Sequence, residues 1–191
     1  MSDVEKATPA QQEILVVEDT QASLRLLADI LTKQGYRVRP ASDGSLALKS
    51  VAVKAPDLIL LDVNMPGMDG YEVCRRLKAD EQSRRVPIIF ISAHSETEQK
   101  VKGFDAGGVD YITKPFQPEE VLARVRTQLR LRDAEEALLN ARNTLEIRVR
   151  ERTTQLQYGF KISDYRFQKP NSAPERALWP MKGGQGRKGR K

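Results

Sequence analysis

The sequence contains a single cysteine, Cys74, in 191 residues. No internal disulfide can form, so a disulfide-stapled scaffold is excluded, and Cys74 is expected to be a small packed hydrophobe. Histidine is equally scarce: His94 stands alone and is expected on an exposed loop. Long hydrophobic runs are missing too. No stretch approaches the roughly 18–20 apolar residues that cross a bilayer, so membrane insertion is not expected. The N-terminal MSDVEKATPAQQE is polar and has no apolar h-region. The cytoplasm is therefore the expected compartment. Glycine and proline are absent from 119 to 158, which leaves nothing to interrupt a helix there. No internal repeat is visible.

What is present is 39% hydrophobic and 30% charged residues, enough for one modest core plus an appendage. The net charge of +6 is unevenly placed. Residues 1–120 carry 15 Lys/Arg against 19 Asp/Glu, residues 121–160 carry 8 against 5, and residues 161–191 carry 9 against 2. The basicity thus belongs to the C-terminal part, whose KGGQGRKGRK run reads as a solvated tail. Such a tail can hold anions electrostatically, but the residues after Leu156 show no helix-turn-helix pattern. Nucleic acid is not an expected partner.

Short apolar runs alternate with helical patterns. ILVV (14–17), LILL (58–61) and IIFI (88–91) read as strands buried on both faces. YRVRPA (36–41) alternates like a strand near a sheet edge, and VDYIT (109–113) is a last strand. Helical patterns fill 24–31, 44–55, 71–79 and 96–106, and another helix opens near Pro118. Gly35, Pro56 and Gly107-Gly108 are placed to end helices. This five-fold βα alternation predicts an α/β fold, a doubly wound parallel sheet with helices on both faces. Beyond about 126 the pattern becomes a stripe of Leu131, Ala134, Leu138, Ala141, Leu145, Val149 and Leu156, interrupted by Arg152. The spacing predicts a long amphipathic helix of coiled-coil type with one stutter. The expected division is a disordered N-terminus (1–12), a domain (13–128), the helix (129–157) and a disordered basic tail (158–191).

Glu18-Asp19, Asp62, Ser92 and Lys114 each follow the C-terminal end of a buried strand, where ligands bind in open α/β sheets. Three carboxylates around one pocket repel one another, and a hard divalent cation is the usual remedy. An all-oxygen set suits Mg²⁺. With the Lys114 ammonium and the Ser92 hydroxyl, the group makes a receptacle for a phosphoryl group, whose transfer needs positioning and charge neutralisation. A carboxylate nucleophile needs no general base. Read alone, Asp19 or Ser92 could equally cap a helix, and Tyr111 could be plain core.

ILVVED (14–19), LLDVNMPGMDG (60–70), ISA (91–93) and YITKPF (111–116) together resemble the receiver domains of two-component response regulators over residues 13–128. The resemblance implies a flavodoxin-like sheet of order 2-1-3-4-5. It implies Asp62 as phospho-acceptor from a cognate histidine kinase or phosphotransfer protein, with Lys114 and Ser92 contacting the phosphoryl oxygens. Asp19, Asp62 and the Asn64 backbone carbonyl would hold Mg²⁺, with Glu18 acting through water. Ser92 and Tyr111 would be the switch pair: Ser92 moves toward the phosphoryl group and Tyr111 turns inward behind it. Lys114-Pro115 would be a cis peptide. Glu18 and Ser92 stand where the family more often has Asp and Thr.

Other functions are weighed against this one. A haloacid-dehalogenase-type phosphatase would want a second Asp where Asn64 stands. A histidine kinase needs an acceptor histidine on a dimerisation helix and an ATP-binding domain, and neither fits His94 or the residues after 156. The segment 142–156 is similar to linker helices that join receivers to kinase, PAS or cyclase modules, so the chain could be the receiver-and-linker part of a longer hybrid kinase. An exposed apolar stripe on the 121–157 helix predicts a homodimer through it.

Overall fold

The computed structural model describes residues 12–93 and 97–167, with side chains for 12–93 and 98–154. The expectations for residues 1–11, for His94 and for the tail from 168 onward lie outside the described residues. Among these residues, five strands form one parallel sheet of order β2-β1-β3-β4-β5. The strands are β1 (Glu13–Val17), β2 (Arg37–Ala41), β3 (Leu58–Asp62), β4 (Ile88–Ser92) and β5 (Asp110–Thr113). The helices are α1 (Gln21–Thr32), α2 (Gly44–Val53), α3 (Gly70–Ala79), α4 (Thr97–Asp105) and α5 (Pro118–Phe167). The doubly wound fold and strand order expected from the sequence are both present.

The central strands explain themselves. EILVV, LILLD and IIFIS are buried at every position, as strands with helices on both faces must be. One face packs Leu24, Leu27 and Leu31 of α1 and Val121, Val125 and Leu129 of α5 against Ile14, Val16, Leu60 and Ile91. The other packs Val51 of α2 and Val73, Cys74 and Leu77 of α3 against Leu15, Leu61 and Phe90. At the edge, β2 is largely exposed and carries Pro40, whose missing N–H is tolerable there. Asp43 and Asp69 start α2 and α3 by accepting from the Leu46 and Glu72 amides at 2.8 and 2.7 Å. The registers Val17↔Leu61, Asp62↔Ile91 and Ser92↔Thr113 bring the strand ends level, which is what assembles a site at that rim.

The opposite rim is polar and paired. Buried Glu13 meets Arg39 and Lys54, and its backbone amide donates to Asp57 Oδ2 at 2.6 Å. Asp57 also pairs with Arg132 of α5, and Gln12 Nε2 donates to Asp133 at 3.2 Å. Contacts with α5 thus continue past the 128 boundary expected from sequence.

The chain divides into two compact units, 1–141 and 142–191. In the first, the apolar stripe of α5 is exposed at Leu131 and Leu138; in the second it is exposed at Leu145 and Val149. Helix α5 runs to Phe167, ten residues beyond the end at 157 expected from sequence. Loss of the apolar period does not stop a helix, and Gly159 only weakens one by about 1 kcal/mol. The next residue that a helix cannot accommodate is Pro170. Among the described residues, no helix is long and apolar enough to cross a membrane.

Candidate functional site

The site lies at the C-terminal rim of β1, β3, β4 and β5. Asp62, the last residue of β3, is only 2% exposed, and Glu18 just past β1 is fully buried. The Glu18 backbone amide donates to Ala41 at 3.1 Å, which fixes the turn out of β1. Lys114 reaches back from the end of β5, and its amide donates to the Ser92 carbonyl at 2.7 Å. Its Nζ lies 2.7 Å from Glu18 Oε2 and 3.2 Å from Asp62 Oδ2. Lys114-Pro115 is cis. Asp19 is half-buried, and α1 is capped at Thr20 with no side-chain bond, so Asp19 is not serving as the helix cap it could have been. Ser92, fully buried, ends β4 beside Thr113.

One ammonium faces two buried carboxylates here. Burial pushes the Asp62 carboxyl above its ordinary range and the Glu18 charge adds to this; Lys114 and a hydrogen bond from the Asn64 backbone offset it only in part. Burial also works against the Lys114 charge, but Glu18 and Asp62 outweigh it and hold the ammonium above its usual value. The local balance is therefore short of positive charge. One oxygen each from Glu18, Asp19 and Asp62 come within 4.8 Å of one another. Asp62 Oδ1 is buried and finds no hydrogen-bond partner among the described residues. An all-oxygen set with an orphaned carboxylate oxygen fits a hard divalent cation such as Mg²⁺. The Asn64 side chain is exposed, and its recorded contact with Asp62 runs through the backbone.

Tyr111 on β5 is 6% exposed and packs 6.3 Å from Phe90, ring centre to ring centre. Tyr111 is thus packed inward in this structure. Phe90 also stacks on Tyr71 of α3 at 5.2 Å. Sequence reasoning passed over Tyr71, a lone aromatic at the start of a short helix. It passed over Gly70 as well, where a Cβ would stand 2.3 Å from the Asp62 carbonyl oxygen. Cys74 is buried, its thiol pushed up to about 11 by desolvation, in keeping with a packing role.

Residues 14–126 match the sequence model of the response regulator receiver domain. The chain is 44% identical over 119 residues to the response regulator PleD of Caulobacter vibrioides, covering 62% of this chain and 26% of that protein. It is 42% identical over 139 residues to the DNA-binding response regulator MtrA of Mycobacterium tuberculosis, covering 73% and 60%. The chain spans less than two thirds of the length of these curated relatives. The receiver domain of the sensor histidine kinase PA1611 of Pseudomonas aeruginosa, solved with a magnesium ion in its active-site cleft, superposes with a TM-score of 0.59 at 36% identity. That match covers 63% of this chain and 98% of the other.

Proposed function

Because this chain belongs to the response regulator receiver domain family, we propose that Asp62 is its phosphoryl acceptor and α5 its signal-carrying element. The observation that carries this is Asp62 itself: buried at the end of β3, with Lys114 Nζ 3.2 Å from one oxygen and the other oxygen unpartnered. In the transfer, an Asp62 oxygen forms the new O–P bond while the P–N bond of a phosphohistidine breaks and its imidazole leaves. Lys114 then has a phosphoryl oxygen to pair with in place of carboxylate. The Ser92 hydroxyl, at the end of the neighbouring strand, hydrogen-bonds another. Mg²⁺, held by Asp62, Asp19 and the Asn64 backbone carbonyl with Glu18 acting through water, would supply the charge that offsets the crowded oxygens. The phosphoryl group carries about −1.5 to −2 charges in place of the single charge of the carboxylate, and drawing Ser92 toward it favours the inward Tyr111 over an outward one.

The partners proposed are a cognate histidine kinase or phosphotransfer protein and a second copy of the chain bound through the 121–157 helix. Exposure of Leu131, Leu138, Leu145 and Val149 supports the second copy. Val121, Val125 and Leu129 are occupied by the receiver core, which leaves the residues from 131 onward for association. A second reading makes this receiver and helix a module of a longer signalling protein. It draws support from the likeness to the receiver of a sensor histidine kinase. Incubation with acetyl phosphate and Mg²⁺ should add one base-labile phosphate, and Asp62→Asn should abolish it. Normal labelling of that variant defeats the assignment.

A further inference from the structure

Tyr71 lies in the first turn of α3 and reaches both β4 and α4. Its ring packs on Phe90 of β4 at 5.2 Å and a tilt of 60°. Its hydroxyl donates across to α4, with the Gln99 carbonyl at 2.9 Å and Gln99 Oε1 at 3.1 Å. Phe90 also packs against Tyr111, with the ring centroids 6.3 Å apart. The Tyr111 hydroxyl is buried and finds no partner of acceptable geometry among the described residues. It lies beside the Tyr71 phenol, whose ionisation is opposed by burial first and by Tyr111 next.

A phenol oxygen has one proton to give and two lone pairs to offer. Tyr71 gives its proton to Gln99 and so remains an acceptor for Tyr111. A buried hydroxyl left unmade is costly, and a small closure of the two phenols would satisfy it. Helix α4 comes close to the same rings: a Cβ on Gly103 of α4 would stand 3.1 Å from Phe90 and 3.6 Å from Tyr111. Helix α4 is therefore seated directly on the aromatic pair.

We propose that Tyr71 is a positioning residue of the switch, relaying the inward Tyr111 to helix α4 through the chain Tyr111 Oη–H, Tyr71 Oη–H, Gln99 carbonyl. The inference rests on the phosphorylation reading above and adds to it the element that is moved. With Tyr111 inward and the two phenols drawn together the chain is closed and α4 is held. With Tyr111 outward Tyr71 loses its donor and only its own bond to Gln99 remains. Tyr71→Phe removes the link without removing the ring that packs on Phe90.

The test is hydrogen exchange across 97–105 in the full chain, with Mg²⁺ and with or without beryllofluoride as phosphoryl mimic. In the wild type, beryllofluoride should slow exchange of the α4 amides. In Tyr71→Phe that slowing should shrink by about two- to twelve-fold, the equilibrium shift given by one net hydrogen bond. Acetyl phosphate should still label Asp62. Tyr111→Phe should give the same loss, and the double variant no more than either single one, because both remove the same chain. An unchanged α4 response in Tyr71→Phe, or additive losses in the double variant, overturns the relay. A wild type that labels on Asp62 but shows no α4 response overturns it as well. Failure of Asp62 to label at all is a different outcome, since it removes the acceptor assignment on which the relay rests.

Discussion

Gly70→Ala should damage the fold and the chemistry together, because the space it fills is bounded by Asp62 itself. A Cβ at Gly70 would stand 2.3 Å from the Asp62 carbonyl oxygen, 2.9 Å from Val63 Cα and 3.0 Å from the Asp62 carbonyl carbon. All three are backbone atoms, so no side-chain rotation relieves the clash. Neither partner can retreat freely. Val63 N donates to the Ile91 carbonyl at 3.0 Å, and Gly70 N donates to the Val63 carbonyl at 2.9 Å. Opening the contact means moving the end of β3 or the start of α3 by about an ångström. Overpacking of this kind costs about 1–3 kcal/mol. Each kcal/mol corresponds to roughly 4 °C in Tm for a domain of this size. The displaced segment carries the Asp62 carboxylate, proposed above as the acceptor, and an ångström of misplacement can slow a reaction about a hundredfold. Calorimetry and acetyl-phosphate labelling read the two effects separately. Gly35→Ala is the control: it sits at φ 87° with nothing within 4 Å of its Cβ, so it should lose stability through backbone strain alone and label normally. Wild-type Tm and labelling in Gly70→Ala would refute the close-approach argument. A lowered Tm with normal labelling would detach the chemistry from the β3 backbone.

Asp19→Ala should leave the Tm in EDTA near the wild-type value and abolish Mg²⁺-dependent labelling; equal labelling of the wild type in excess EDTA would remove the metal from the scheme. Glu13→Gln should destabilise by about 1–3 kcal/mol at neutral pH, as expected for losing hydrogen bonds to a charged group. Burial alone would raise the Glu13 carboxyl, but Lys54 and Arg39 outweigh it and hold it below its usual value. Its contribution is therefore present above the unfolded-state value and lost as pH falls through the folded one, so wild type and variant should converge in acid denaturant titrations. Leu129→Ala, in the core, should cost about 2–5 kcal/mol, whereas Leu138→Ala should leave the monomer's stability unchanged and weaken self-association in light scattering. A chain ending at 167 should associate and one ending at 136 should not; monomers in both would assign the exposed stripe to a different partner.

The fold was legible because its strands are unambiguous. Runs such as LILL and IIFI are buried on both faces, and the polar residue that ends each one lies at the rim where the acidic cluster forms. Asp62, Asp19, Glu18 and Lys114 could be placed together because a parallel sheet puts every C-terminal strand end on one rim. What could not be read were relations between side chains of different elements. Tyr71 is one aromatic in a short amphipathic helix, and nothing in GYEVCRRLKA says that its hydroxyl reaches α4. Gly70 reads as the end of a loop until the approach of β3 is seen. Composition likewise does not say that Tyr111 packs inward against Phe90, as it does here. The apolar stripe does not mark the end of α5 because apolar periodicity reports burial, and a helix can continue without a buried face.

The pairing of Asp57 with Arg132 has a practical meaning for anyone recombining modules. A chimera junction at 126 or 128, where the likeness to receivers stops, would sever Leu129 from its packing and strip Asp57 of its guanidinium. Part of any altered signalling would then be plain damage to the receiver. A graft that retains 12–136 keeps the Asp57 and Asp133 fastenings intact. From 137 onward, adding or removing single residues changes the phase of the downstream helix by about 100° each, on an α-helix of 3.6 residues per turn. Splice length beyond that point becomes a tuning dial, readable as a periodic rise and fall of output across a ladder of fusions.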